Sequence, residues 1–289
     1  MMDDMINAIR IRDLLKKYKF RFKNNLGQNF LADDRVLKDI IDASSVTKGD
    51  SVLEVGSGTG ILTLQLAKHA GKVLTIEVDD GLIGILREVF SGTDNIRLYH
   101  GDALKMDLAE AARGYLAEPI TICANLPYYI TTPLIVKFFK CGLEIKNIVL
   151  MVQKEVALRM DAHPGTADYG ALSLLVQYYS APKIVSYVPS SCFIPHPKVD
   201  SAIIKLAIRR KPPVEVYSES LFFNVIRSSF NQRRKMLSNS LKPVGITKEK
   251  LMAACGNSSI DPSRRGETLS IQEFALLSNE IYKLTVPAH

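Results

Sequence analysis

Asn125, Leu126, Pro127 and Tyr128 place a side-chain amide, a backbone carbonyl, a rigid ring and an aromatic face in four consecutive positions. That set suits the gripping of a planar exocyclic amine. The lone pair of an adenine N6 is delocalised into its ring, so the nitrogen is a poor nucleophile. Two acceptors, the Asn125 side-chain oxygen and the Leu126 carbonyl, can take the amine protons and draw the nitrogen toward a tetrahedral, nucleophilic shape. Pro127 fixes φ and removes a competing donor. Tyr128 offers a face on which a base stacks. Taken alone, the four residues also read as a strand followed by an ordinary Pro turn. Farther along, Phe193 stands in the segment 193–201, stiffened by Pro195 and Pro197. It is a candidate second stacking face opposite Tyr128, although residue type alone favours a core Phe.

A second set of residues points to a nucleoside. Gly56-Ser57-Gly58-Thr59-Gly60 follows the apolar run Ser51 to Val55 and precedes a helical pattern from Ile61 to Ala70. Lys72 to Val78 then reads as another strand, with Glu77 at its end. Strand, Gly-rich turn, helix, strand and acid is the order in which glycines let a ligand approach the backbone while the acid accepts from two ribose hydroxyls. A dinucleotide fingerprint would place its third Gly where Ile61 stands. No Lys-Ser or Lys-Thr follows the loop, which excludes a triphosphate P-loop. Glu54, just before the loop, would repel a pyrophosphate and suit a cation, as in the sulfonium and amino group of S-adenosylmethionine. Asp102 ends the next strand, Asn95 to His100. It can accept from the adenine amine of such a cofactor or cap the following turn.

These residues need a sheet to hold them. Ile120 to Ala124 is an apolar strand leading into Asn125. Strands also read over Asn147 to Val152, Lys183 to Val188 and Ala202 to Ile208. Helices read over Lys154 to Met160 and Ala171 to Tyr179, after a cap at Asp33 or Asp34, and after Thr131 or Thr132 with Pro133 in the first turn. Gly71 reads as a helix stop. A chain of 289 residues with 47% hydrophobic content has room for one large domain and a small one. No apolar run has the length of a membrane span, and no signal-peptide pattern opens the chain. Cys123, Cys141, Cys192 and Cys255 are scattered, which fits a reducing compartment with neither a disulfide framework nor a zinc site. No other His or Cys stands at metal spacing from His196.

Arg209-Arg210-Lys211-Pro212-Pro213 reads as a linker, beyond which the pattern is helical: Leu221 to Phe230, Arg234 to Leu241, Lys248 to Ala254 and Ile271 to Leu284. Arg233, Arg234 and Lys235 then fall at a helix start. Cations there are locally unhelpful and suggest an external anion such as phosphate. Arg264 and Arg265 add to them, and the net charge of +7 agrees with an anionic partner. Arg10, Arg12, Lys16, Lys17, Lys19, Arg21 and Lys23 form a basic arm near the start, which reads equally as a solvated amphipathic helix.

Leu26-Gly27-Gln28-Asn29-Phe30-Leu31, the Glu54 to Gly60 loop, Asn125 to Tyr128, Phe193 to Ser201, Asn231 to Leu241 and Arg265-Gly266-Glu267-Thr268-Leu269 together resemble the ribosomal RNA adenine N6,N6-dimethyltransferase family. They span nearly the whole chain. Leu126, the Arg233 to Lys235 segment and the tail resemble its small-subunit branch. The resemblance implies an α/β, Rossmann-like class I methyltransferase domain, with a seven-stranded doubly wound sheet whose last strand is antiparallel. A small all-helical C-terminal domain follows. We expect the methyltransferase domain over 1–208 and a helical RNA-binding domain over 209–289, in a cytoplasmic monomer.

The resemblance also implies that Asn29, Leu31, Gly56, Glu77, Asp102 and Asn125 contact S-adenosylmethionine, with Gln28 and Gly58 as further cofactor candidates. Asn125, Leu126, Tyr128 and Phe193 would frame the target base, and Arg233, Arg234 and Lys235 would hold RNA. The implied reaction is metal-free dimethylation of N6 on two adjacent adenosines in a loop near the 3′ end of small-subunit ribosomal RNA. A large-subunit enzyme of the resistance type, a non-catalytic assembly factor and a dehydrogenase are the alternatives; Ile61 speaks against the last. Two departures from the family pattern are His196, where Pro is common, and Tyr129, where other polar residues are common.

Overall fold

A computed structural model of the chain describes residues 13–23 and 27–285. Arg10, Arg12 and Leu26 lie outside them. The described part of Met1–Ala157 together with Lys183–Ile208 forms one compact unit, and the described part of Leu158–Pro182 with Arg209–His289 forms a second.

The first unit is built on seven strands: β2 (Ser51–Val55), β3 (Lys72–Glu77), β4 (Ile96–His100), β5 (Ile120–Asn125), β6 (Ile145–Gln153), β7 (Ser180–Val188) and β9 (Ser201–Ile208). Their order in the sheet is β4-β3-β2-β5-β6-β9-β7. β4, β3, β2, β5 and β6 are parallel, and β9 runs antiparallel to β6. All five residues of β2 and the first five of β5 are buried. That is the continuous apolar character of a strand covered on both faces. The edge strand β7 instead alternates exposed and half-buried residues through its middle.

Helices flank this sheet: α1 (Asp34–Ser44), α2 (Ile61–His69), α3 (Asp80–Val89), α4 (Leu108–Ala112) and α5 (Thr131–Lys140). Asp33 caps α1 by accepting from the Arg35 amide at 2.9 Å. Neither Thr131 nor Thr132 caps α5. The cap position is Ile130, and the Thr131 hydroxyl donates back to the Pro127 carbonyl at 3.3 Å. α2 ends at His69, with Ala70 as its cap and Gly71 just beyond. Leu37, Ile40, Leu66, Val149, Met151 and Ile203 share the core beneath α1 and α2.

A separate two-stranded ribbon joins β1 (Phe30–Leu31) to β8 (Phe193–Ile194), pairing Phe30 with Ile194 and Leu31 with Phe193. The chain crosses from β2 to β3 on one side and places β5 on the other. This is the switch point at which open α/β sheets bind ligands, beyond the carboxyl ends of the strands.

The second unit is helical. It gathers α7 (Ala171–Tyr179), α8 (Glu219–Asn231), α9 (Leu237–Ser240), α10 (Lys248–Asn257) and α11 (Ile271–Thr285), while α6 (Lys154–Asp161) spans the boundary at Ala157. Phe222, Leu237, Leu251, Phe274 and Ile281 form its core with Tyr169. The Tyr169 hydroxyl donates to the Leu269 carbonyl at 2.8 Å, so residues of the 158–182 segment are built into this core. Gly266 is needed for close approach: a Cβ there would stand 2.6 Å from the Ser229 Cβ. Among the described residues no helix is long and apolar enough to cross a membrane.

Candidate active site

The Asn125 segment stands where β5 ends, because the apolar run stops there and Pro127, at φ −55° and ψ 133°, turns the chain out of the sheet. Gly56 follows β2, the neighbouring strand. A Cβ on Gly56 would meet the Asn125 carbonyl at 3.6 Å, so the glycine turn lies directly beside this segment. Gly58, at φ +56°, adopts a conformation that side chains resist, and its open α-carbon faces the Phe30 ring.

A cavity of about 220 Å³ opens over these strand ends. Asn125, Leu126, Tyr128 and Phe193 line it, and so do Gln28, Asn29, Gly56, Gly58, Glu77 and Asp102. Leu31 does not. Its side chain is in the core and lines a small adjoining cavity with Phe30, Gly56, Gly58 and Asn125. Ile76, Leu82, Ala103 and Phe30 supply apolar wall, and among the described residues no Lys, Arg or His lines the cavity.

Glu77 is buried at the end of β3. One carboxylate oxygen accepts from the Gly58 amide, the other from the amides of Val78 and Asp79, all at 2.9 Å. Burial pushes its carboxyl up, against the opposing pull of those three N–H groups. Three bonds leave about one of the carboxylate's four lone-pair sites open to a ribose hydroxyl. Asp102 divides its work. One oxygen accepts from the Leu104 amide at 2.9 Å, capping the turn, and the other stands 3.4 Å from the Lys105 ammonium. Lys137 of α5 holds the same turn through the carbonyls of Leu104 and Met106.

Gln28 is committed within the protein, accepting from the Lys23 amide at 2.8 Å and donating to Asp79 at 2.5 Å. Lys23 pairs with Asp79 at 2.5 Å and Lys17 with Glu88 at 2.5 Å. Two cations of the basic arm thus bond to α3 and its cap, while Lys16, Lys19 and Arg21 are exposed.

Glu54 overturns an expectation. It is 0% exposed and does not reach the cavity. One oxygen accepts from Thr63 at 2.5 Å and Thr75 at 2.6 Å, and the other has no partner. Burial pushes its carboxyl up to about 8, so near neutral pH it is mostly protonated and presents no charge to a cation. Alternation along β2 is the reason: side chains of neighbouring strand residues leave on opposite faces.

On the base side, the Asn125 amide nitrogen donates to the Asn29 carbonyl at 3.4 Å, which leaves Oδ1 turned toward other partners. Tyr128 is half-buried, its hydroxyl 2.9 Å from that of Ser201 at the start of β9. Ser201 ends the motif in which Phe193 was singled out; sequence reasoning gave it no role, since a serine beginning a strand carries no signal of its own. Phe193 is 1% exposed and packs in the core as it lines the cavity. His196 stays in its loop, its Nδ1 3.2 Å from the Ser190 carbonyl.

In the helical unit the cations are not where the sequence placed them. α8 runs to Asn231, and 232–236 is a turn before the four-residue α9. The cluster therefore precedes no full helix, and no helix N-terminal field opposes its cations. Arg233 is engaged internally: it donates to Glu267 at 2.7 Å and to the Ala167 carbonyl at 2.6 Å. Arg234 and Lys235 line an open hollow with Lys242, Arg265, Gln232 and Asn239. Arg264 is tied to Glu273 instead.

A family model described as ribosomal RNA adenine dimethylase matches residues 19–283. A Clostridium perfringens protein described as ribosomal RNA small subunit methyltransferase A is 49% identical over 278 residues, 96% of this chain and 97% of that one. A Clostridioides difficile protein of the same description is 45% identical over 282 residues, 97% and 98% of the two chains. Among solved structures, a dimethyladenosine transferase from Plasmodium falciparum superposes with a TM-score of 0.70 at 30% identity, covering 86% of this chain and 95% of that chain. The 23S rRNA methyltransferase ErmE gives 0.67 at 25% identity, covering 88% and 100%.

Proposed function

The chain belongs to the ribosomal RNA adenine dimethylase family, and from that membership we propose that it dimethylates N6 of two adjacent adenosines in a loop near the 3′ end of small-subunit ribosomal RNA. The observation that carries this reading is the charge of the cavity: two carboxylates and the Asn125 amide among its walls, and no cation among the described residues. A dinucleotide or triphosphate would find no side-chain cation for its phosphates among the described residues there. S-adenosylmethionine fits, because it has a nucleoside, a sulfonium and an ammonium but no phosphate. Glu77 and Asp102 would hold its adenosyl part, with Gln28, Asn29, Gly56 and Gly58 shaping the remainder and Leu31 packed in the core beside them. When bound, it supplies an electrophilic methyl.

The protein's own residues position the acceptor. Tyr128, anchored by Ser201, and Phe193, fixed in the core, frame a flipped base. Asn125 Oδ1 and the Leu126 carbonyl accept hydrogen bonds from the amine as the nitrogen changes geometry. This places their contribution in the transition state. Once alkylated, the nitrogen loses a proton to water. Monomethyl adenosine keeps one amine proton and can react again; dimethyl adenosine has none and stops. Loop adenosines are the least costly to extract from their stack. Arg234, Lys235, Lys242 and Arg265 offer an electrostatic hold on the RNA backbone.

The test offers labelled S-adenosylmethionine with undermethylated small and large ribosomal subunits separately, followed by mass spectrometry of the RNA. Dimethyladenosine at neighbouring loop positions of small-subunit RNA is the expected result. Methylation confined to large-subunit RNA, or none on either, would overturn the reading.

A further inference from the structure

Tyr129 follows the base-framing residues, and nothing above uses it. Tyr128–Ile130 form one turn of 3-10 helix, in which successive side chains leave about 120° apart. Tyr128 and Tyr129 therefore leave the turn in different directions, although both reach the cavity. Tyr128 is committed to Ser201. The Tyr129 ring turns instead toward the segment carrying Gln28 and Asn29: a Cβ built on Gly27 would lie 3.6 Å from its Cδ1 and 3.8 Å from its Cε1. Gly27 has φ +59°, so any larger residue there would be strained as well as pressed on the ring. Burial, and after it the charges of Asp102 and Glu77, push the Tyr129 hydroxyl up, which is consistent with a ring lying near both acids. Tyr129 lines the cavity and is nonetheless 58% exposed. Its ring is outer wall, not core.

We propose that Tyr129 closes over the adenosyl end of bound S-adenosylmethionine, laying its ring against the nucleoside that Glu77 and Asp102 hold, and so sets how long the cofactor and its demethylated product stay. The inference rests on the cofactor reading above. It bears on the outcome of the reaction because each transfer consumes one cofactor. A base that receives two methyls in one encounter must wait while spent cofactor leaves and fresh cofactor enters. An exposed aromatic cover at the cofactor end sets the duration of that exchange and leaves the base-framing residues in place.

The experiment compares the full chain with Tyr129→Ala and Tyr129→Phe. It measures affinity and dissociation rate for S-adenosylmethionine and S-adenosylhomocysteine without RNA, alongside thermal midpoints. Tyr129→Ala should weaken both ligands by about 5- to 150-fold, the ratio that one lost aromatic stacking contact of about 1–3 kcal/mol produces. Most of that change should appear in the dissociation rate. Tyr129→Phe should stay close to the wild type, since the ring and not the hydroxyl makes the cover. Wild-type affinity and dissociation rates in folded Tyr129→Ala would overturn the proposal, and so would Tyr129→Phe as weak as Tyr129→Ala. A wild-type protein that binds neither ligand would defeat the cofactor reading itself, which is a different result.

Discussion

Among the described residues, the cavity at the strand ends has Glu77 and Asp102 in its walls and no cation, whereas the hollow beside α9 is lined by Arg234, Lys235, Lys242 and Arg265 and no carboxylate. Glu77 of the first region is largely withdrawn from water, and its carboxyl and that of Glu54 below it are pushed up by burial. The cations of the second stand in an open hollow. Burial makes a group's protonation part of stability, while exposure makes its attraction subject to screening by salt. The first region should therefore answer to pH and the second to ionic strength.

The largest effect expected is on stability at Glu54. The fold holds its proton up to a pH of about 8, against an ordinary value of 4.5 for the unfolded chain. The stability this contributes is complete below the lower value and is lost as pH rises through the higher one. At about 1.4 kcal/mol per unit, several kcal/mol disappear across that window. Glu54→Gln, which cannot ionise, should flatten the decline. Urea midpoints at about pH 5 and about pH 8 for both proteins check it; a decline of equal steepness in the variant would place the titration elsewhere.

Next in size is Asn125→Ala. Losing an acceptor that acts as the amine changes geometry should reduce kcat by about 10²–10³-fold, with a smaller rise in KM for RNA. Cofactor affinity is measured in parallel because Asn125 lines the same cavity. Normal single-turnover chemistry with weakened RNA binding would reject the assignment.

Glu77→Ala should weaken S-adenosylmethionine binding by about 1.5–3 kcal/mol, the scale of hydrogen bonds to a charged group. The variant also strands the amides of Gly58, Val78 and Asp79. Its thermal midpoint should therefore fall, and calorimetry must be done where it is folded. Unchanged affinity there would remove Glu77 from the site.

The smallest effects separate two neighbours in the second region. Arg234→Glu with Lys235→Glu should weaken RNA binding and reduce the salt slope by about 0.7–0.9 for each lost phosphate contact, leaving S-adenosylmethionine affinity intact. Arg233→Ala should instead cost about 0.2–1 kcal/mol of stability, since its guanidinium is bonded to Glu267 and the Ala167 carbonyl. Equal salt slopes in the charge-reversed and wild-type proteins would reduce the hollow to a solvated face.

Much of the first region was legible because its signals are local. An apolar run broken by Asn-Leu-Pro-Tyr marks a strand end, and strand, glycines, helix and acid fix β2, α2 and β3 in order. What was not legible depends on contacts distant in sequence. The two-residue strands β1 and β8 are too short to show a period of two. Glu54 looked like a ligand neighbour because sequence adjacency to Gly56 says nothing of which sheet face a side chain takes. Arg233 looked like Arg234 because only folding brings Glu267 and the 166–167 backbone to it. The segment Leu158–Pro182 carries helix and strand patterns that fit either domain, and its place among the helices is decided by Tyr169, Leu174 and Tyr178 in their core.

The ribbon of β1 and β8 ties the stretch carrying Asn29 to the stretch carrying Phe193 by backbone pairing, and the Ala32 amide extends it to the Cys192 carbonyl at 2.8 Å. A cofactor held at Asn29 and a base held at Phe193 would therefore press on the two strands of one ribbon. Whatever factor the cofactor contributes to RNA affinity through that ribbon, the RNA must return to the cofactor, because a coupling free energy has no direction.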